Sequence, residues 1–121
     1  MDSKSRQKIA VAMGRAIAGL RQRAGLGQED VGARLGVGQE AISRIERGAV
    51  LPSVTRLYEL AEVFGCRAED LLREASERPQ DGAAHLEKML APLAPADRKL
   101  VLDVAERMSE HFPKRAARGR A

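Results

Sequence analysis

The stretch 28-QEDVGARLGVGQEAISRIER-47 decides how this chain folds. Val31 and Leu35 stand four apart and so share one face of a short helix, with Gly32 beside them where a large side chain would be hard to fit. Gly36 stands where that helix must end in a left-handed residue, and Val37 follows as an apolar plug in the turn. Gly38 serves as N-cap for a second helix that Gln39 opens. In it Ile42 and Ile45, three apart, face inward. At about 100° per residue, Glu40, Ser43, Arg44 and Arg47 then point away from them, with Gln39 at the leading edge. A short helix with an apolar back and a long-armed polar front suits insertion into a DNA major groove.

Residue by residue, this segment resembles the helix-turn-helix of the Cro/CI-type (XRE) family of phage repressors and bacterial regulators. The agreement lies in Gln28 opening the first helix, Gly32 at the close-packing position, Gly36 and Val37 in the turn, Gln39, Ile42 and Ile45 in the second helix, and the closing IERG of residues 45–48. Flanking segments extend the likeness over residues 9–73. The resemblance implies an all-α, five-helix lambda-repressor-like DNA-binding domain, here over 6–75. It implies that Arg21, near the end of the first helix, pairs with Glu46 to lock that helix to the reading helix. It also implies that Gln28, with the free amides at its helix start, holds a phosphate and braces Gln39.

The side chains on the reading face suggest their own roles. Gln39 suits a bidentate contact with adenine, and Arg44 suits guanine O6 and N7. Glu40 is repelled by phosphates but can accept from cytosine N4, so it would reject wrong sequences more than add affinity. Ser43 adds a further base contact, and Arg47 a contact to the neighbouring backbone. The plain alternative for each is a solvated helix face. After Gly48 the family usually carries a polar or basic loop, whereas this chain has Ala49, Val50 and Leu51 before Pro52. Minor-groove reading from this loop is therefore not expected. Ser53 can cap the next helix and offer its hydroxyl and the free amides to a phosphate.

Outside the motif the chain reads as further helices. Ile9, Met13, Ile17 and Leu20 stripe a helix over 6–24, preceded by a polar terminus whose Lys4, Arg6 and Lys8 read as solvated charge. Gly25 ends that helix, and Leu26 follows as a core contact. A helix over 54–64 turns Leu57, Leu60, Ala61 and Phe64 inward, and Gly65 stops it. A short one over 68–74 buries Leu71 and Leu72. The stretch 76–82 reads as linker. Beyond it lies a two-helix appendage over 83–112, the first helix with Leu86, Met89 and Leu90 on one side. The second starts with Pro95 and Asp97 and carries the stripe Leu100, Val101, Val104, Met108 and Phe112. That stripe can fold back on its own domain or pack against a second copy. The second is the expectation, since DNA sites for such domains come as paired half-sites. Residues 113–121 read as a disordered basic tail.

Composition narrows the rest. With 121 residues and only Tyr58, Phe64 and Phe112 aromatic, the core must be aliphatic. A net charge of +4 with no dense basic patch means any DNA surface comes from arrangement. The lone Cys66 excludes an internal disulfide and a cysteine zinc cluster, and reads as a small half-buried residue rather than a redox switch. No span, signal segment, H-E-x-x-H spacing or phosphate loop appears, so neither metal, cofactor nor catalysis is expected. The reading is a soluble, cytoplasmic, homodimeric repressor that binds a double-stranded DNA operator. Two rivals stay open: an antitoxin that represses its own operon and binds a toxin through the C-terminal helices, and a protein-interaction module that no longer reads DNA.

Overall fold

The computed structural model describes residues 1–115. Among them the secondary structure is helical: α1 Ser3–Arg23, α2 Gln28–Leu35, α3 Gln39–Glu46, α4 Val54–Phe64, α5 Ala68–Ala75, α6 Pro79–Leu90 and α7 Pro95–His111. The chain divides into two units, Met1–Ala83 and Ala84–Ala121.

In the first unit α1 packs against α3 and α5, α2 against α3 and α4, and α4 against α5. The core is aliphatic, as the composition requires. Ile17, Val31, Ile42, Leu60 and Leu71 are fully buried, and Met13, Ile45 and Ala61 complete the cluster. Leu20, Leu26, Leu35, Val37, Leu57 and Phe64 close it as half-buried neighbours. Val37 is thus packed against the core rather than wholly inside it.

Two glycines carry the backbone where no side chain could. Gly36 ends α2 at φ +72°, the left-handed conformation that L-residues rarely adopt. From there Val37 N donates to Gly32 O at 2.8 Å, which closes the turn between α2 and α3. Gly48 lies at φ +76°, and a Cβ there would stand 2.8 Å from Val11 Cα. It therefore turns the chain out of α3 directly against α1.

Several boundaries and faces differ from the sequence expectation. Helix α1 begins at Ser3 rather than Arg6, because the Asp2 carboxylate accepts from Ser5 N at 2.8 Å and caps it. That bond holds the Asp2 carboxyl below the usual aspartate range. Helix α6 begins at Pro79, inside the stretch expected to be linker; Ser76 Oγ donates to the Asp81 carboxylate and accepts from Arg78 N, which organises the chain entering the helix. Leu72 was expected inside but is 54% exposed, since Leu71 takes the core position and the next residue lies about 100° round the helix. Ile9 is likewise 40% exposed, because Ala10, Met13 and Ile17 form the buried face of α1. Ile9 and Leu72 line one open apolar groove with Ala12, Met13 and Ala75.

In the second unit Pro95 stands at the first position of α7, and Arg98 Nε and Nη2 donate to the carbonyls of Leu90 and Ala91, both at 2.9 Å. The guanidinium thus gives the Ala91 carbonyl a donor and adds a second to that of Leu90, which also accepts from Leu93 N at 3.0 Å. The expected disordered tail falls largely on 116–121, outside the described residues.

Candidate nucleic-acid interface

The inner side of α3 is anchored by apolar burial at Ile42 and Ile45 and by a polar chain at its end. Arg21 Nε donates to Glu46 Oε2 at 2.7 Å and Arg21 Nη2 to Glu46 Oε1 at 3.0 Å, a bidentate pair. Its side chains are only 13% and 7% exposed. Arg21 Nη1 also donates to Leu26 O at 2.9 Å, so the same guanidinium ties down the link between α1 and α2. The carboxylate bonded to it raises the Arg21 guanidinium above its ordinary range, against the partial burial that pulls the other way.

The chain continues outward from the pair. Gln28 Nε2 donates to Glu46 Oε1 at 2.9 Å, and Gln39 Nε2 donates to Gln28 Oε1 at 3.3 Å. Four residues from three helices thereby connect the half-buried ion pair to the exposed leading edge of α3. On the outer face Arg44 is exposed, its guanidinium with no hydrogen bond or ion pair among the described residues, and Ser43 is half-buried beside it. Glu40 and Arg47 do not stand apart: Arg47 Nη2 donates to Glu40 Oε1 at 2.9 Å, and its Nε to Ser43 O at 3.3 Å. Ser53 shares no hydrogen bond with this cluster among the described residues and caps α4, its Oγ accepting from Arg56 N at 3.1 Å.

One residue that positions the interface escapes the sequence reading. Gly14 sits inside α1 where a Cβ would meet Glu46 O at 2.5 Å and Ile45 O at 2.6 Å. The last turn of α3 therefore rests directly on the α1 backbone. The available signal was the glycine itself, since an interior helical glycine costs about 1 kcal/mol against alanine and so points to close packing. Gly32 repeats the device between α2 and the turn, where a Cβ would lie 2.7 Å from Val37 O.

Leu100, Val101, Val104, Met108 and Phe112 stripe α7 and its C-cap, and all five are exposed. Cys66 is half-buried, and that burial, helped by the Asp70 carboxylate, pushes its thiol upward. Less thiolate is then present near neutrality. Iodoacetamide at pH 8 should alkylate Cys66 more slowly than a cysteine in a short peptide; a peptide-like rate would mean the thiol is open and unshifted. Among the described residues no three His, Cys, Asp or Glu gather as a metal-ligand set. No described helix is long and apolar enough to cross a membrane.

Comparison with known proteins agrees with this geometry. A family model described as Helix-turn-helix matches residues 17–71. An uncharacterized HTH-type transcriptional regulator of Sinorhizobium fredii is 42% identical over 67 residues, which is 55% of this chain and 87% of that protein. Another, from Archaeoglobus fulgidus, is 39% identical over 51 residues, 42% of this chain and 73% of that protein. The crystal structure of the clp gene regulator ClgR from Corynebacterium glutamicum superposes with a TM-score of 0.55 over 69% of this chain and 87% of that one. At 23% identity that last likeness is one of fold. On the motif, the helix arrangement and these relatives, the chain belongs to the Cro/CI-type (XRE) helix-turn-helix family of DNA-binding transcriptional regulators.

Proposed function

We propose that the protein represses transcription as a homodimer, each copy laying α3 in the major groove of one operator half-site. The observation that carries this reading is the outer face of α3, where Gln39 is held by Gln28 while Arg44 stands exposed and without a partner among the described residues. Gln39 then addresses adenine, Arg44 guanine, and Ser43 a neighbouring base. Phosphates are met by the free amides at Gln28, by Arg47, and by Ser53 with the start of α4. The Glu40–Arg47 pair does not obstruct this, because both side chains are well over half exposed and such pairs contribute only about 0–1 kcal/mol. Arg47 can exchange Glu40 for a phosphate at little cost, which frees Glu40 to accept from cytosine N4. The exposed stripe of α7 supplies the contact between copies, and bound α3 helices at a promoter exclude polymerase.

The test is a titration of the protein against its own upstream region and against scrambled DNA, each at two salt concentrations. Affinity for the first should exceed that for the second by about 10³ or more, with both weakening as salt rises. Equal, weak, salt-sensitive binding would remove the regulator reading. On the specific site Arg44→Ala should cost about 1–3 kcal/mol and relax preference at one base pair. A loss equal across all sequences would reassign Arg44 to the phosphates.

A further inference from the structure

The homodimer reading leaves open how two copies of α7 meet, and the pattern of charge on that helix answers it. Asp97, Val101, Val104, Met108 and His111 recur at spacings of four, three, four and three, so they line one seam, with Leu100 and Phe112 at its edges. The middle of the seam is apolar and exposed, Val104 at 49% and Met108 at 55%. Its two ends carry unlike groups, a carboxylate in the first turn and an imidazole in the last. The Asp97 carboxylate has no hydrogen bond or ion pair among the described residues, and the His111 ring meets the Phe112 ring edge-on, at 6.0 Å between centroids. On the flank beside Leu100, Arg107 Nε stands 3.4 Å from Asp103 Oδ2, one turn apart.

Two parallel copies would set Asp97 against Asp97 at one end, where like charges in one contact are unfavourable, and would leave each His111 facing another imidazole rather than a carboxylate. Two antiparallel copies set Asp97 beside His111 of a second copy at both ends and Leu100 beside Met108. They also bring the same flank of each helix together, so Asp103 and Arg107 can exchange partners reciprocally with the second copy. The helix dipoles then oppose as well. We propose that α7 is covered by a second copy of this chain running antiparallel, centred near Val104, with Asp97 seated against His111. This rests on the homodimer reading and adds the direction and the specifying residues.

The experiment uses the full chain in a Cys66→Ala background. Sedimentation equilibrium first gives the mass. Leu100→Cys and Met108→Cys proteins are then oxidised mildly, separately and mixed. In the antiparallel pair two copies of position 100 lie about 12 Å apart along the axis, beyond disulfide reach, whereas 100 and 108 meet. The mixture should therefore cross-link, and each variant alone should not. Efficient cross-linking of Leu100→Cys alone overturns the antiparallel arrangement and leaves the homodimer standing. A monomer mass at tens of micromolar overturns both, and would hand the seam to a foreign protein. Should the cysteines themselves loosen the dimer, charge exchange decides: Asp97→Lys should weaken dimerisation roughly five-fold and Asp97→Lys with His111→Asp should restore it. Absence of restoration overturns the proposal.

Discussion

Glu46→Ala is expected to lower folding stability by about 3 kcal/mol, because it strands Arg21 in a site where both partners are mostly covered. In a domain of this size that corresponds to a fall in Tm of about 12 °C or more. The loss exceeds what the pair contributes in the intact protein, since the carboxylate accepts from Arg21 Nε, from Arg21 Nη2 and from Gln28 at once. Glu46→Gln should cost less, because an amide oxygen still accepts, but the charge that holds the guanidinium is gone. Arg21 titrates above its ordinary range when folded, so its contribution is complete below that range and fades only as pH rises through it. The stability difference between wild type and Glu46→Ala should therefore not shrink from neutral pH to pH 10. Urea denaturation of the two proteins across that interval measures both claims, and coincident midpoints would refute the role of the pair.

Gly14→Val should be as damaging, at about 3 kcal/mol or failure to fold. The introduced Cβ would stand 2.5 Å from Glu46 O, 2.6 Å from Ile45 O and 2.8 Å from Glu46 C, all backbone atoms that cannot rotate aside. Relief would require α3 to lift off α1, which breaks the Arg21–Glu46 geometry with it. Gly14→Ala carries the same Cβ and should lose most of that amount. Gly19 provides the control in the same helix, where a Cβ would meet nothing within 4 Å. There Gly19→Ala should gain about 0.5–1 kcal/mol through reduced freedom of the unfolded chain. If both alanine variants shift the denaturation midpoint upward, the close approach of α1 and α3 is wrong.

These two residues also mark how far the amino-acid sequence could be read. The helices of the first unit follow from local patterns, because each buries one stripe and α1 to α4 each run out at a glycine, and Ile42, Ile45 and Leu60 lie inside as their spacing implies. The turn at Gly36 was legible for the same local reason. Leu71 and Leu72 show the limit: adjacent leucines on a short helix cannot both face one core, and spacing alone does not say which does. Arg21 and Glu46 lie 25 residues apart, and no helical period connects them; only the family resemblance paired them. The Glu40–Arg47 pair, two turns apart on α3, went unread because each residue was assigned to DNA separately. Gly14 was missed because its meaning depends on another helix.

The chain from Arg21 to Gln39 has one more consequence, which concerns direction. A carboxylate can only accept, so Glu46 obliges Gln28 to turn its NH2 inward and its oxygen outward. That oxygen in turn obliges Gln39 to offer its NH2. One N–H and the carbonyl of Gln39 remain, a donor beside an acceptor, which is the complement of adenine N6 and N7. An unbraced glutamine presents either orientation and discriminates poorly. Here a single, mostly covered negative charge sets the polarity of each amide beyond it, so on the proposed reading the handedness of the edge that Gln39 offers is decided before any nucleic acid arrives.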